Sequence, residues 1–104
     1  MIKDEIRNLL SNNMQKLFDD IDLSKVLGAN KQIELISTML LSIADNEKLT
    51  KLEIRNNIIN IAEYYQNTRG QNSRAIYNAI SIFLSNLDFG LDKDEMIKKF
   101  KSGL

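Results

Sequence analysis

The chain contains no cysteine and no histidine. Their absence excludes disulfides, thiolate zinc sites, cysteine nucleophiles and histidine general bases together. The missing histidine weighs most against an enzyme, because imidazole is the usual proton shuttle near neutral pH. Carboxylates do not fill the gap: Glu53 and Glu63 stand ten residues apart on one helical pattern, and no pair is placed for acid–base work. The 104 residues by themselves are therefore expected to catalyse nothing and to need neither a metal nor a cofactor. Proline is absent, and the four glycines (Gly28, Gly70, Gly90 and Gly103) fall at or near boundaries of the hydrophobic pattern. Net charge is also lacking. Fourteen basic and fourteen acidic side chains cancel, so no positive field favours a nucleic acid or an anionic membrane. No unbroken apolar run exceeds three residues, as in Met39-Leu40-Leu41, which is far too short to span a bilayer. The opening Met1-Ile2-Lys3-Asp4-Glu5 leads directly into an amphipathic pattern and does not resemble a signal peptide. A cytoplasmic location is the default expectation.

What remains is an ordinary globular composition, 43% hydrophobic and 27% charged, in a length suited to one domain with one modest core. The twelve asparagines are spread over helical patterns and read as a coding bias. The periodicity predicts an all-α bundle of about five helices. Ile2, Ile6, Leu9, Leu10, Leu17, Phe18 and Ile21 recur at three- and four-residue spacing and predict one first helix with a broad apolar face. Asp19, Asp20 and Asp22 interrupt it as a solvated turn. They lack the glycine and terminal glutamate of a calcium loop, and residues 23–27 add at most one more turn before Gly28. Residues 30–44 are different: Ile33, Leu35, Ile36, Met39, Leu40, Leu41, Ile43 and Ala44 cover most of the circumference. A helix apolar nearly all round is usually buried, which predicts that this segment is the central and most buried one.

The third helix has the clearest start. Thr50-Lys51-Leu52-Glu53 fits a capping box, and Leu49 with Ile54 is spaced for a hydrophobic staple. Ile54, Ile58, Ile61, Ala62 and Tyr65 form its expected buried stripe, with Tyr64 at the rim. A fourth helix over residues 73–87 is expected to bury Ile76, Ala79, Ile80, Phe83, Leu84 and Leu87. A fifth opens at Asp92 with the Asp92-x-x-Glu95 pair and carries Met96, Ile97 and Phe100. That apolar face is not completed within the sequence, so two readings stand: a frayed end, or a face that packs on a further domain or a second subunit. On the second reading residues 1–104 are a helical domain forming the N-terminal part of a longer protein.

Between the third and fourth helices lies the most informative stretch, Asn67-Thr68-Arg69-Gly70-Gln71-Asn72-Ser73-Arg74. An arginine in a glycine-bearing loop before a helix N-terminus suits a phosphate or carboxylate, which the backbone amides attract and the guanidinium clamps. Arg74 falls in the first turn of the following helix, where the dipole disfavours a cation. The plainer readings are as concrete. Arg69 then covers a helix C-terminus, Gly70 ends the third helix in a left-handed conformation, and Arg74 is solvated surface.

With the helices placed, the chain resembles the N-terminal helical domain of the translation initiation factor 2B family, over roughly residues 6–101. That family includes regulatory initiation-factor subunits and isomerases acting on methylthioribose 1-phosphate and ribose 1,5-bisphosphate. Its members carry Arg-Gly-Ala before the second helix and Thr-Arg-Pro-Thr before the fourth, the latter followed by Asn-Ala. Here Gly28-Ala29 matches the first motif with Leu27 in the arginine position. Thr68-Arg69 matches the second with Gly70 in place of proline, and Asn78-Ala79 follows. The resemblance implies a sugar-phosphate or other anion site to which Gly28, Ala29, Thr68, Arg69, Gly70 and Arg74 contribute, completed by a C-terminal α/β domain that carries the reacting groups. Leu27 in place of arginine is more comfortable in a regulatory or divergent member than in an isomerase. The rival class is a stand-alone helical protein–protein interaction module, with Met96, Ile97 and Phe100 as its contact face.

Overall fold

The computed structural model describes residues 3–22 and 28–85, and all of their regular structure is helical. The elements are α1 (Lys3–Asn8), α2 (Asn12–Asp22), α3 (Ala29–Ala44), α4 (Lys51–Asn67), α5 (Arg69–Asn72) and α6 (Arg74–Ser85). Five helices of six residues or more, with the single turn α5, make up the expected all-α bundle. Residues 23–27, Leu87 and the helix expected from Asp92, with Met96, Ile97 and Phe100, lie outside the described residues.

The single first helix expected from the apolar spacing is in fact two. At the end of α1 the Leu9 and Leu10 amides donate to the Ile6 and Arg7 carbonyls at 3.1 Å, a tightened three-residue closure. Ser11 then restarts the chain as an N-cap, its Oγ accepting from the Met14 amide at 3.4 Å. Gln15 seals the corner by donating its side-chain amide to the carbonyls of Arg7 and Leu10 at 3.1 and 3.2 Å. Ile6, Leu10, Phe18 and Ile21 still reach the core, so the apolar rhythm passes through the break unchanged. The break was announced by Ser11-Asn12-Asn13, three residues that favour caps over helix interiors. Asp19 and Asp22 are not a solvated turn. They lie in the last turns of α2 and face α1, where Arg7 forms a two-pronged pair with Asp19 (both bonds 2.9 Å) and Lys3 pairs with Asp22. These pairings hold the two helices antiparallel.

The helix start at Thr50 is as the sequence predicts. Thr50 Oγ1 accepts from the Glu53 amide at 3.2 Å and the Glu53 carboxylate accepts from the Thr50 amide at 3.1 Å, a closed capping box. The stripe Ile54, Ile58, Ile61, Ala62 and Tyr65 is fully buried, and Leu49 packs on the same core. On α6, Ile76, Ile80 and Phe83 are buried, while Ala79 and Leu84 are half-buried. Among the described residues α3 shares the centre of the bundle with α4. Of the described elements, α4 packs on α1, α3, α5 and α6, and α3 packs on α2, α4 and α6. Helix α3 buries Ile36, Met39, Leu40, Ile43 and Ala44, and its half-buried Ile33, Leu35 and Leu41 pack against the same core.

Candidate functional site

The polar stretch after α4 is not an open loop. Thr68 ends α4 by donating its hydroxyl to the Tyr64 carbonyl at 2.8 Å, and its amide donates to the Tyr65 carbonyl at 3.3 Å. These bonds satisfy carbonyls that the helix end leaves without partners. The chain then makes the turn α5, and Gln71 reaches back to the Gln66 carbonyl at 3.3 Å. Ser73, extended at φ −145° and ψ 114°, restarts the chain, its Oγ accepting from the Ile76 amide at 3.3 Å.

Within this turn Gly70 is helical and buried, not left-handed. A β-carbon placed on it would stand 3.4 Å from the backbone and side chain of Tyr77, so the glycine records the close approach of α5 to α6. The left-handed glycine among the described residues is Gly28, at φ 85°, which stands at the N-cap of α3.

Arg69 reaches across the bundle. Its Nη2 donates to the carbonyl oxygens of Ile21 at 2.6 Å and Asp22 at 2.9 Å, the last residues of α2. A cation there meets the negative end of the helix dipole and covers orphan carbonyls. Both bonds use one guanidinium nitrogen. Nε and Nη1 take no further partner among the described residues. Arg69 lines a cavity of about 270 Å³ with, among the described residues, Phe18, Asp22, Tyr64, Tyr65, Thr68 and Asn72.

Three of those walls form an aromatic cluster. Phe18 stacks on Tyr64 with ring centroids 5.7 Å apart, and Tyr64 meets Tyr65 edge-on at 5.3 Å. As expected, Tyr65 is core and Tyr64 lies at the rim. The Tyr65 hydroxyl donates to the Met39 sulfur at 3.5 Å, and burial pushes its pKa well above that of an ordinary phenol. Burial, and then the Asp22 carboxylate, also raise the pKa of Tyr64, so both phenols are neutral donors at physiological pH. Among the described residues Asp22 is the one carboxylate of the cavity wall, and Lys3 pairs with it. The cavity thus combines a fixed guanidinium, hydroxyl and amide groups and an aromatic wall, a set suited to a small polar ligand with one negative charge.

The residues singled out in the sequence do not converge. Thr68 and Arg69 line this cavity. Gly70 and Arg74 line a different, shallow concavity with Gln71, Tyr77 and Asn78. Gly28 and Ala29 stand at the start of α3 and line neither, Ala29 being packed against the core. Phe18, Asp22 and Asn72 were not singled out as binding residues. No spacing rule connects residue 69 with the end of a helix nearly fifty positions earlier, and only the aromatic recurrence of Phe18, Tyr64 and Tyr65 offered a signal. No family model, no curated protein and no solved structure matches the chain. Among the described residues no helix is long and apolar enough to cross a membrane.

Proposed function

We propose that this helical domain supplies an anion-binding half-site centred on Arg69, in the manner of the initiation-factor-2B-like proteins that the sequence resembles, and that a following α/β domain completes the site. The observation that supports this most is the anchoring of Arg69. Its Nη2 is fixed on the Ile21 and Asp22 carbonyls, and the residue lines the cavity. A pre-oriented guanidinium loses little entropy on clamping a phosphate or carboxylate. Thr68, Asn72 and Tyr64 are the polar neighbours for the rest of the ligand, with a phosphorylated sugar as the class implied by the resemblance. On this reading Gly28 and Gly70 shape the backbone and Arg74 serves a separate surface.

Titration of inorganic phosphate, and then of a phosphorylated sugar, into the isotopically labelled chain tests the proposal. The expected affinity is millimolar, about 4 kcal/mol, because an open half-site shares its ligand with water. Amide shifts should centre on residues 68–72 and disappear in Arg69→Lys, which keeps the charge and loses the fork. Shifts clustered elsewhere, or an unchanged response in Arg69→Lys, would remove the site. A helical interaction module without ligand or catalysis is the second reading, and the exposed Ile82 beside an apolar groove favours it. A chain that ignores phosphate but elutes with a protein partner decides for that reading.

A further inference from the structure

The cavity beside Arg69 holds two opposite charges that do not meet. Arg69 and Asp22 both line it, yet among the described residues no ion pair joins them. Each is held by another group. The Arg69 Nη2 donates to the backbone carbonyls of Ile21 and Asp22, and the Asp22 carboxylate pairs through Oδ2 with Lys3. An arginine and an aspartate on the wall of one small cavity would ordinarily close on each other, because two parallel bonds are their strongest arrangement. Arg7 and Asp19 do so a turn earlier on α2, with both bonds at 2.9 Å. At Asp22 the arginine is turned onto main-chain oxygens instead. That leaves Nε and Nη1 of Arg69 and Oδ1 of Asp22 without a partner among the described residues.

We infer that the cavity takes a small zwitterion, with its phosphate or carboxylate on Arg69 and its ammonium group on Asp22. The inference rests on the anion site proposed above and adds a second charge to it. A bare anion drawn to the guanidinium also meets the Asp22 carboxylate on the same wall, and that repulsion opposes binding. An ammonium group on the ligand turns the same carboxylate into an attraction. A sugar hydroxyl can donate to Asp22 as well, but it brings no charge to offset the carboxylate. Lys3 is no barrier, since it is a half-exposed side chain whose pair belongs to a class of weak, exchangeable bonds. Tyr64 stands within reach of both charges, as Asp22, Lys3 and Arg69 all act on its phenol. Its ring, stacked on Phe18, supplies an aromatic surface that attracts an ammonium group further. At about 270 Å³ the cavity is at the small end of the range for ligand pockets, which fits a compact molecule such as an aminoalkyl phosphate or an amino acid.

Aminoethyl phosphate and ethyl phosphate share the anion and differ in the amine, which makes them the probes. Each is titrated into the isotopically labelled full chain at low ionic strength and neutral pH, with the amide shifts of residues 68–72 as the readout. Aminoethyl phosphate should bind roughly tenfold more tightly, the gain expected from one hydrogen bond to a charged group. Asp22→Asn, which keeps the shape and removes the charge, should abolish that difference. Lys3→Gln, which frees the carboxylate, should widen it. The exposed Lys3 tolerates replacement whatever Asp22→Asn does to the helix end, so the test does not hang on one variant. Equal binding of the two probes by the parent, or a difference that survives in Asp22→Asn, would overturn the zwitterion and leave the Arg69 anion site standing. Lys3→Gln weakening both probes alike would also overturn it, by showing that Lys3 serves the anion. If neither probe moves residues 68–72, the anion site itself is gone and the inference goes with it.

Discussion

Arg69 Nη2 lies 2.6 Å from the carbonyl oxygen of Ile21, a bond between residues 48 positions apart that fastens the turn after α4 to the end of α2. The same nitrogen covers the Asp22 carbonyl at 2.9 Å. We predict that Arg69→Ala lowers stability by about 1–3 kcal/mol, the cost of leaving carbonyls without a charged donor. Urea titration followed by circular dichroism measures it. Arg69→Lys should recover part of the loss. A change below about half a kcal/mol in Arg69→Ala would show that the bond is not formed in solution.

The two described glycines should respond in opposite ways. Gly28→Ala is expected to cost about 1–3 kcal/mol although nothing crowds the position, because φ 85° strains any side chain. Gly70→Ala should stay within about 1 kcal/mol of the parent. Its β-carbon meets Tyr77 at an ordinary contact distance and alanine favours helix. Thermal melts of the two variants side by side settle the matter, and a larger loss at Gly70 than at Gly28 would reverse the assignment.

Acid should act on the α1–α2 hairpin first. The Arg7 hydrogen bonds, reinforced by its charge, hold the Asp19 carboxyl below its usual pKa. A lowered folded-state pKa means that the contribution is present above the usual carboxylate range and is lost as pH falls through the lowered value. Asp19→Asn should therefore lower stability by a constant amount above the carboxylate range and converge with the parent at acid pH, which flattens the acid limb. A parallel downward displacement of the whole profile would count against the pairing.

On the alkaline side the control is Tyr65. Burial raises its pKa, so the unfolded phenol ionises first, at its usual value near 10, and stability falls as pH rises above that point. The slope approaches about 1.4 kcal/mol per pH unit for one proton. Tyr65→Phe should remove its own share of that slope, leaving the smaller share of Tyr64, and cost little at neutral pH, since the hydroxyl's partner is a thioether sulfur. A tyrosinate absorbance titration that tracks unfolding in the parent, and is displaced in the variant, would confirm it.

The sequence was most legible where structure is local. The capping box at Thr50 joins residues three apart, and the buried stripe of α4 follows from a repeat that the helix itself imposes. It was less legible where two local rules compete. The apolar rhythm from Ile6 to Ile21 argued for one helix and overrode the cap at Ser11, since a corner can keep both halves on the core. Gly70 was ambiguous because a glycine after a helix can serve a left-handed turn or a close approach, and the deciding neighbour, Tyr77, is another element. At the candidate site Thr68 and Arg69 were legible as a pair, whereas Asp22 and Phe18 enter only through the tertiary fold. Arg69 follows its plainer reading in covering a helix C-terminus, and it lines a cavity as well.

The reach of Arg69 also has a kinetic meaning. The Thr50–Glu53 box closes over three residues and can form as soon as α4 does, but the Arg69–Ile21 bond must first bring together segments 48 residues apart. Loop-closure entropy places such a contact late on the folding route, after α4 and α6 have met. A bond made after the transition state slows escape from the native state without hastening arrival. In stopped-flow chevrons Arg69→Ala should steepen nothing on the refolding limb and raise the unfolding rate by the whole of its stability loss. The arginine that borders the cavity would then also be the latch that sets how long the folded bundle lasts.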